Sequence, residues 1–206
     1  MAKRLKAAER KASILAVSKI LFADKGFHGV SVDEIAQRLG VSPAVLYKHF
    51  DSKEALYEAV LDEISCKRES YVEAVVQQPM DFARVLEAMT RVYVESIAKD
   101  PDYLKMEMHS VLEGSAVTKQ FFENRWRSFT DYIEFNMQEL MPKEKVANIN
   151  PKVASLMFQG MIREALYAKC IYHSDRYREI DLQTLVTTLT GLFLVAIGYQ
   201  QHTNIS

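Results

Sequence analysis

The chain has 206 residues, 49% of them hydrophobic, with 26 Lys or Arg against 27 Asp or Glu, so its formal net charge is −1. That length buries a sizeable core, while seven glycines and five prolines supply too few turns for an all-β protein, so an all-α fold is expected. The near-neutral total conceals a division: residues 1–53 hold ten Lys or Arg against five Asp or Glu, leaving 16 against 22, so a basic head precedes an acidic body.

At the start, Lys3, Arg4, Lys6, Arg10 and Lys11 precede or open a first helix. A flexible basic arm of this kind follows a phosphate backbone or reaches a minor groove; a merely solvated N-terminus is the alternative. Ile14 to Phe22 is interrupted by Lys19 and so does not read as a signal peptide, which leads us to expect a cytoplasmic protein.

Between residues 31 and 53 the punctuation is dense. Ser31 and Glu34 make an S-x-x-E capping box, and Val32, Ile35, Ala36 and Leu39 recur at helical spacing. Gly40 ends that helix with the positive φ a tight turn demands, and Val41 is the apolar plug behind it. Ser42 is expected to cap a second short helix with Pro43 at its first position. Val45, Leu46 and Phe50 face inward, which leaves Ser42, Pro43, Ala44, Tyr47, Lys48 and His49 for an outside partner.

That outer set suits double-stranded DNA. Tyr47 and His49 offer hydrogen bonds to phosphate, Lys48 reaches phosphate or a guanine edge, and Pro43 and Ala44 meet thymine methyls. Asp51 or Ser52 starts the next helix, whose N-terminal amides and Lys53 are expected to meet a phosphate. A helix-turn-helix also occurs in proteins that never touch nucleic acid, so the constellation carries more weight than any one residue.

At these residues the chain resembles the TetR family of bacterial transcriptional regulators, over roughly positions 10 to 60. The matching elements are Phe22, Ala23, Gly26 and Phe27; Ser31, Val32, Ile35 and Ala36; Gly40 to Ser42; Leu46 to Phe50; and Lys53 to Leu56. The resemblance implies a three-helix DNA-binding head over residues 1–52 and a ligand-binding and dimerisation body over 53–206. It further implies about nine helices, with Tyr47, His49 and Lys53 as phosphate contacts.

Further on, helices are expected from about 52 to 77 with Pro79 beyond, from 81 to 99, from 102 to 112, from about 118 to 141, from 151 to about 172, and from 181 to about 199. Val153, Leu156, Met157, Gly160, Met161, Glu164, Ala165 and Ala168 form an i, i+3, i+4 stripe, and the last helix is apolar on more than one face. A membrane anchor is the competing reading of that helix, but Gln183, four threonines and two glycines within it, with no basic anchor after it, oppose one. A homodimer through the last two helices is the expectation. It would let two heads span half-sites about 34–36 Å apart, or a multiple of that distance.

Phe122, Trp126, Phe129, Ile133 and Met137 share one stripe, which Tyr93, Ile97, Met106, Met108, His109, Phe158 and Ile162 are placed to face. Such a lining suits a small apolar or aromatic effector, whereas ordinary core packing is the plainer account. Tyr93, Met106, His109, Trp126, Phe129, Ile133, Phe158 and Ile162 are the candidate ligand contacts, and His109, Asn136 and Glu164 the candidate polar hooks. An enzyme is not expected, because no E-x-x-H, H-E-x-x-H, glycine-rich phosphate loop or G-x-S-x-G occurs. Cys66 and Cys170 lack a C-x-x-C partner, and neither cofactor nor metal is expected. A ligand-responsive transcriptional regulator, most commonly a repressor released by its effector, is the functional expectation; a helical adaptor or an enzyme on the same fold is the alternative.

Overall fold

A computed structural model describes residues 7–66, 81–114 and 116–200. Among these residues there are nine α-helices and no strand: α1 Ala7–Lys25, α2 Val32–Leu39, α3 Pro43–Tyr47, α4 Lys53–Cys66, α5 Phe82–Lys99, α6 Asp102–Glu113, α7 Ala116–Leu140, α8 Pro151–Leu166 and α9 Leu182–Ala196. The all-α expectation holds. Lys3, Arg4 and Lys6 of the basic arm, and the expected continuation of α4 to residue 77, lie outside the described residues. Among the described residues no helix is long and apolar enough to cross a membrane.

The chain folds as two compact units. The first contains residues up to Arg68 together with Pro101–Phe122, and so joins α1 to α4 with α6 and the beginning of α7. Ile14, Leu21 and Phe22 of α1, Ile35 and Ala36 of α2, Leu46 of α3, and Leu56, Tyr57 and Val60 of α4 are buried in its core. The ring of Tyr57 stands edge-on to Phe22 at 4.9 Å and to Phe27 at 5.2 Å, an arrangement that adds quadrupole attraction to the burial of apolar area. Burial, with the Glu113 carboxylate nearby, pushes the Tyr57 phenol well above its ordinary pKa, so it remains neutral.

The second unit holds residues 69–100 and 123–206. Its core is an aromatic run in which Tyr93 meets Trp126 at 4.9 Å and Phe129 at 5.5 Å, Phe129 meets Phe158 at 6.1 Å, and Phe158 meets Phe193 at 4.8 Å. The helix starts are satisfied by side chains: Asp81 accepts from the Arg84 amide at 2.9 Å, Asn150 from Lys152 at 2.9 Å and Asp181 from Thr184 at 2.8 Å. The end of α9 is tied to the α7–α8 connection, since the Ala147 amide donates to the Ile197 carbonyl at 2.8 Å and the Gln200 amide to the Lys145 carbonyl at 3.0 Å.

One expected helix changes form. The stretch from 151 to about 172 is α-helical only to Leu166 and continues as a π-helical turn over Tyr167–Ile171. Apolar spacing does not distinguish the two, because a single widened turn shifts the pattern by only one residue.

Candidate nucleic-acid interface

The geometry between α2 and α3 follows from its sequence with little deviation. Ser31 adopts an extended backbone, φ −104°, and its hydroxyl accepts from the Glu34 amide at 3.1 Å. This is one half of the expected capping box; the Glu34 carboxylate pairs with Lys25 instead, fastening the end of α1 to the start of α2. At the other end Gly40 lies at φ +65°. Its amide donates to the Gln37 carbonyl at 3.1 Å, and the Val41 amide donates to the Ala36 carbonyl at 3.0 Å. Those two bonds are a Schellman stop, which requires the left-handed residue that glycine supplies without steric cost.

Ser42 sits at the N-cap position of α3 and Pro43 follows in the first turn, but the Ser42 hydroxyl makes no capping bond. That corrects the expectation of a side-chain cap. It also leaves an exposed hydroxyl at the helix end that in a helix-turn-helix points to the groove. Ala44, Tyr47 and Lys48 are exposed as well, Pro43 and His49 are half-buried, and Leu46 and Phe50 are buried. Tyr47 stands out, because an aromatic side chain on a small folded head is left 54% exposed. Ser31 too is exposed.

Lys53 has a second occupation that its position in the sequence does not reveal. Its Nζ donates to the carbonyls of Phe27 and Val30, each at 2.9 Å, and stands 4.2 Å from the centroid of the Phe27 ring. Two of three ammonium protons thus hold the α1–α2 connection in place, and the third is not used by it. The start of α4 is formed by Ser52, whose hydroxyl accepts from the Ala55 amide at 3.1 Å.

Helix α6 braces this head. Lys105 pairs with Asp24 at 3.2 Å, Lys19 with Asp102 at 3.9 Å, and the Glu113 carboxylate accepts from the His28 amide at 3.2 Å. Gly26, at φ +73°, lies so close to α6 that a β-carbon there would stand 2.9 Å from His109 Nδ1 and closer still to the Glu113 carboxylate. His109 therefore belongs to the brace. Of the other candidate ligand contacts, Met106 is buried in the same unit, whereas Tyr93, Trp126, Phe129, Ile133, Phe158 and Ile162 are all buried in the second unit. Asn136 donates to the Tyr132 carbonyl at 2.8 Å and Glu164 is exposed.

A different surface is apolar and uncovered in the single chain. On α8, Val153, Leu156 and Met157 are 59%, 62% and 38% exposed, and on α9 Leu192 and Val195 are 55% and 78% exposed. Five large apolar side chains on two helices exceed the scattered exposure normal for a monomer.

A capped helix-turn-helix presenting a polar, partly basic face is the arrangement with which DNA-binding regulators enter a groove. Residues 14–60 match the family described as bacterial regulatory proteins, tetR family. Over those residues the chain is similar to the DNA-binding head of the TetR family. It is 37% identical over 97 residues to the HTH-type transcriptional activator FasR of Mycolicibacterium smegmatis, a match spanning 47% of this chain and 44%, less than half, of that protein. Its fold is shared with a TetR-like transcriptional regulator from Rhodococcus sp. RHA1, at a TM-score of 0.74 and 15% identity over 96% of this chain and all of that one. AibR, in a crystal structure with isovaleryl coenzyme A and operator DNA, matches at a TM-score of 0.66 and 20% identity, covering 93% of this chain and all of that one.

Proposed function

We propose that the protein is a homodimeric, sequence-specific DNA-binding transcriptional regulator whose affinity for its operator is set by a small apolar or aromatic effector, with effector binding releasing repression. The observation that carries this reading is the face of α3, where Ser42, Ala44, Tyr47 and Lys48 are exposed together while Leu46 and Phe50 anchor the helix from behind. Such a face has base-reading and phosphate-binding groups on a rigid element, as major-groove recognition requires. Ser31, Pro43, His49 and Lys53 complete the contact set. The DNA-binding head is residues 1–52, and the remainder forms the ligand-binding and dimerisation body, acting in the cytoplasm.

The exposed apolar residues of α8 and α9 support dimerisation, because a second copy covers them with the same surface about a two-fold axis. For the effector, the aromatic run from Tyr93 to Phe193 supports an apolar ligand, and Trp126 supports one that also carries a hydrogen-bond acceptor. Trp126 is 3% exposed, and among the described residues nothing accepts from its Nε1. Buried donors are seldom left so, and an incoming carbonyl supplies the missing partner. AibR's ligand makes a short acyl thioester the first effector to test. An effector acts only through a difference in affinity between DNA-competent and DNA-incompetent arrangements, typically worth about 1–3 kcal/mol.

In-vitro selection from random duplexes tests the reading. Enrichment of an inverted repeat by the wild-type chain and not by Tyr47→Ala is expected. Recovery of unpatterned sequence by both overturns it, and favours a helical adaptor on the same fold.

A further inference from the structure

The geometry points to an anion-binding site for a phosphomonoester or diphosphate in the connection between α8 and α9, within the second unit and separate from the DNA-reading face. An open-sided cavity of about 370 Å³ is lined there by Lys169, His173, Ser174, Tyr177 and Arg178. Three of these five side chains are basic, and the other two offer hydroxyls. That donor set suits a tetrahedral dianion better than a neutral or cationic ligand.

The backbone around the cavity departs from regular form three times in eleven residues. The π-helical turn Tyr167–Ile171 enters it, His173 follows at φ +46°, and the 3₁₀ turn Asp175–Tyr177 closes it. A left-handed conformation at a non-glycine residue is costly and persists only where surrounding structure holds it, and π-turns concentrate at functional sites for a related reason. The Ser174 amide donates to the Ala168 carbonyl at 3.0 Å across His173, and Lys169 fastens the far side of the connection. Its Nζ donates to the carbonyls of Tyr177 at 3.0 Å, Arg178 at 3.4 Å and Ile180, which fixes an ammonium charge on the cavity wall. Those bonds occupy its protons and leave its field.

The donors come from the other residues. Arg178 pairs with Asp175 through Nη2, an ion pair whose side chains are 72% and 83% exposed. Exposed pairs of this kind are weak, so a doubly charged phosphate displaces the carboxylate or uses the remaining guanidinium edge. Among the described residues nothing engages the His173 ring or the Ser174 hydroxyl, so both are available to a ligand oxygen.

Isothermal titration of the full-length chain with pyrophosphate at low ionic strength tests the site, using wild type, the double variant His173→Gln/Arg178→Gln, and Lys48→Gln. The third variant controls for the DNA-reading face, which also attracts phosphate. Saturable binding is expected, weakened at least about tenfold in the double variant and unchanged in Lys48→Gln. As a measurement independent of variant folding, the His173 ring resonances of the wild type shift on adding pyrophosphate. Absence of saturable binding, an unaltered affinity in a folded double variant, a loss confined to Lys48→Gln, or unmoved His173 resonances each overturns the proposal.

Discussion

Replacing Lys53 with methionine keeps the aliphatic stem and removes the ammonium that ties α4 to the α1–α2 connection. Two charge-assisted bonds to carbonyl oxygens at 2.9 Å are lost, together with a cation held 4.2 Å from the Phe27 ring. Hydrogen bonds to a charged group contribute about 1.5–3 kcal/mol each and a cation–π contact about 0.5–2 kcal/mol. The three share one group and the site is half-buried, so they do not add in full and water replaces part of the loss. A destabilisation of about 2–4 kcal/mol is expected for the DNA-free protein. Urea unfolding reads it as a lower midpoint with the slope unchanged. The same variant, titrated with DNA over a range of salt, is expected to lose about one unit of salt slope if the third proton meets a phosphate. A stability change below about 0.5 kcal/mol would refute the structural role, since that is the scatter of surface substitutions.

Other perturbations reach the remaining parts of the account. Tyr47→Ala removes an exposed ring from α3 and is expected to weaken specific DNA binding by about tenfold or more while the chain remains folded and dimeric; unaltered affinity removes Tyr47 from the interface. Gly26→Ala places a β-carbon against His109 and Glu113 at a φ of +73°, and a loss of about 2 kcal/mol or more is expected from strain and collision. A melting temperature equal to wild type would show that α6 does not brace the head. Leu192→Arg puts a charge on the exposed apolar face of α9, and sedimentation is expected to show monomers or precipitate. A stable soluble dimer would locate the interface elsewhere.

The head was legible because its information is local. Ser31, Glu34, Gly40 and Pro43 act through backbone groups a few residues away, so their spacing alone specifies the turn between α2 and α3. What escaped sequence reading depends on partners far along the chain. The Ser31–Glu34 box formed only by half because Lys25 competes for the carboxylate. Lys53 reads as a phosphate anchor at a helix start, and nothing local reveals that two carbonyls more than twenty residues earlier accept hydrogen bonds from it. His109 and Met106 lie one turn apart on an amphipathic helix, a pattern that identifies a buried face without naming what buries it. In the fold that face lies with the head, some eighty residues upstream, at the close passage only Gly26 permits. The basic cavity between α8 and α9 escaped too, because its cations lie around a π-turn and a 3₁₀ turn with no periodic signature.

The most direct test is a fluorescence-anisotropy titration of the purified chain, at two salt concentrations, against the DNA flanking its own gene and a scrambled duplex of equal length. The account predicts tight, salt-sensitive binding to the native fragment, weaker binding to the scrambled one, and loss of the difference in Tyr47→Ala. Equal weak binding to both duplexes, persisting after copurified ligand has been stripped and with selected sequences in place of the flanking DNA, would contradict it.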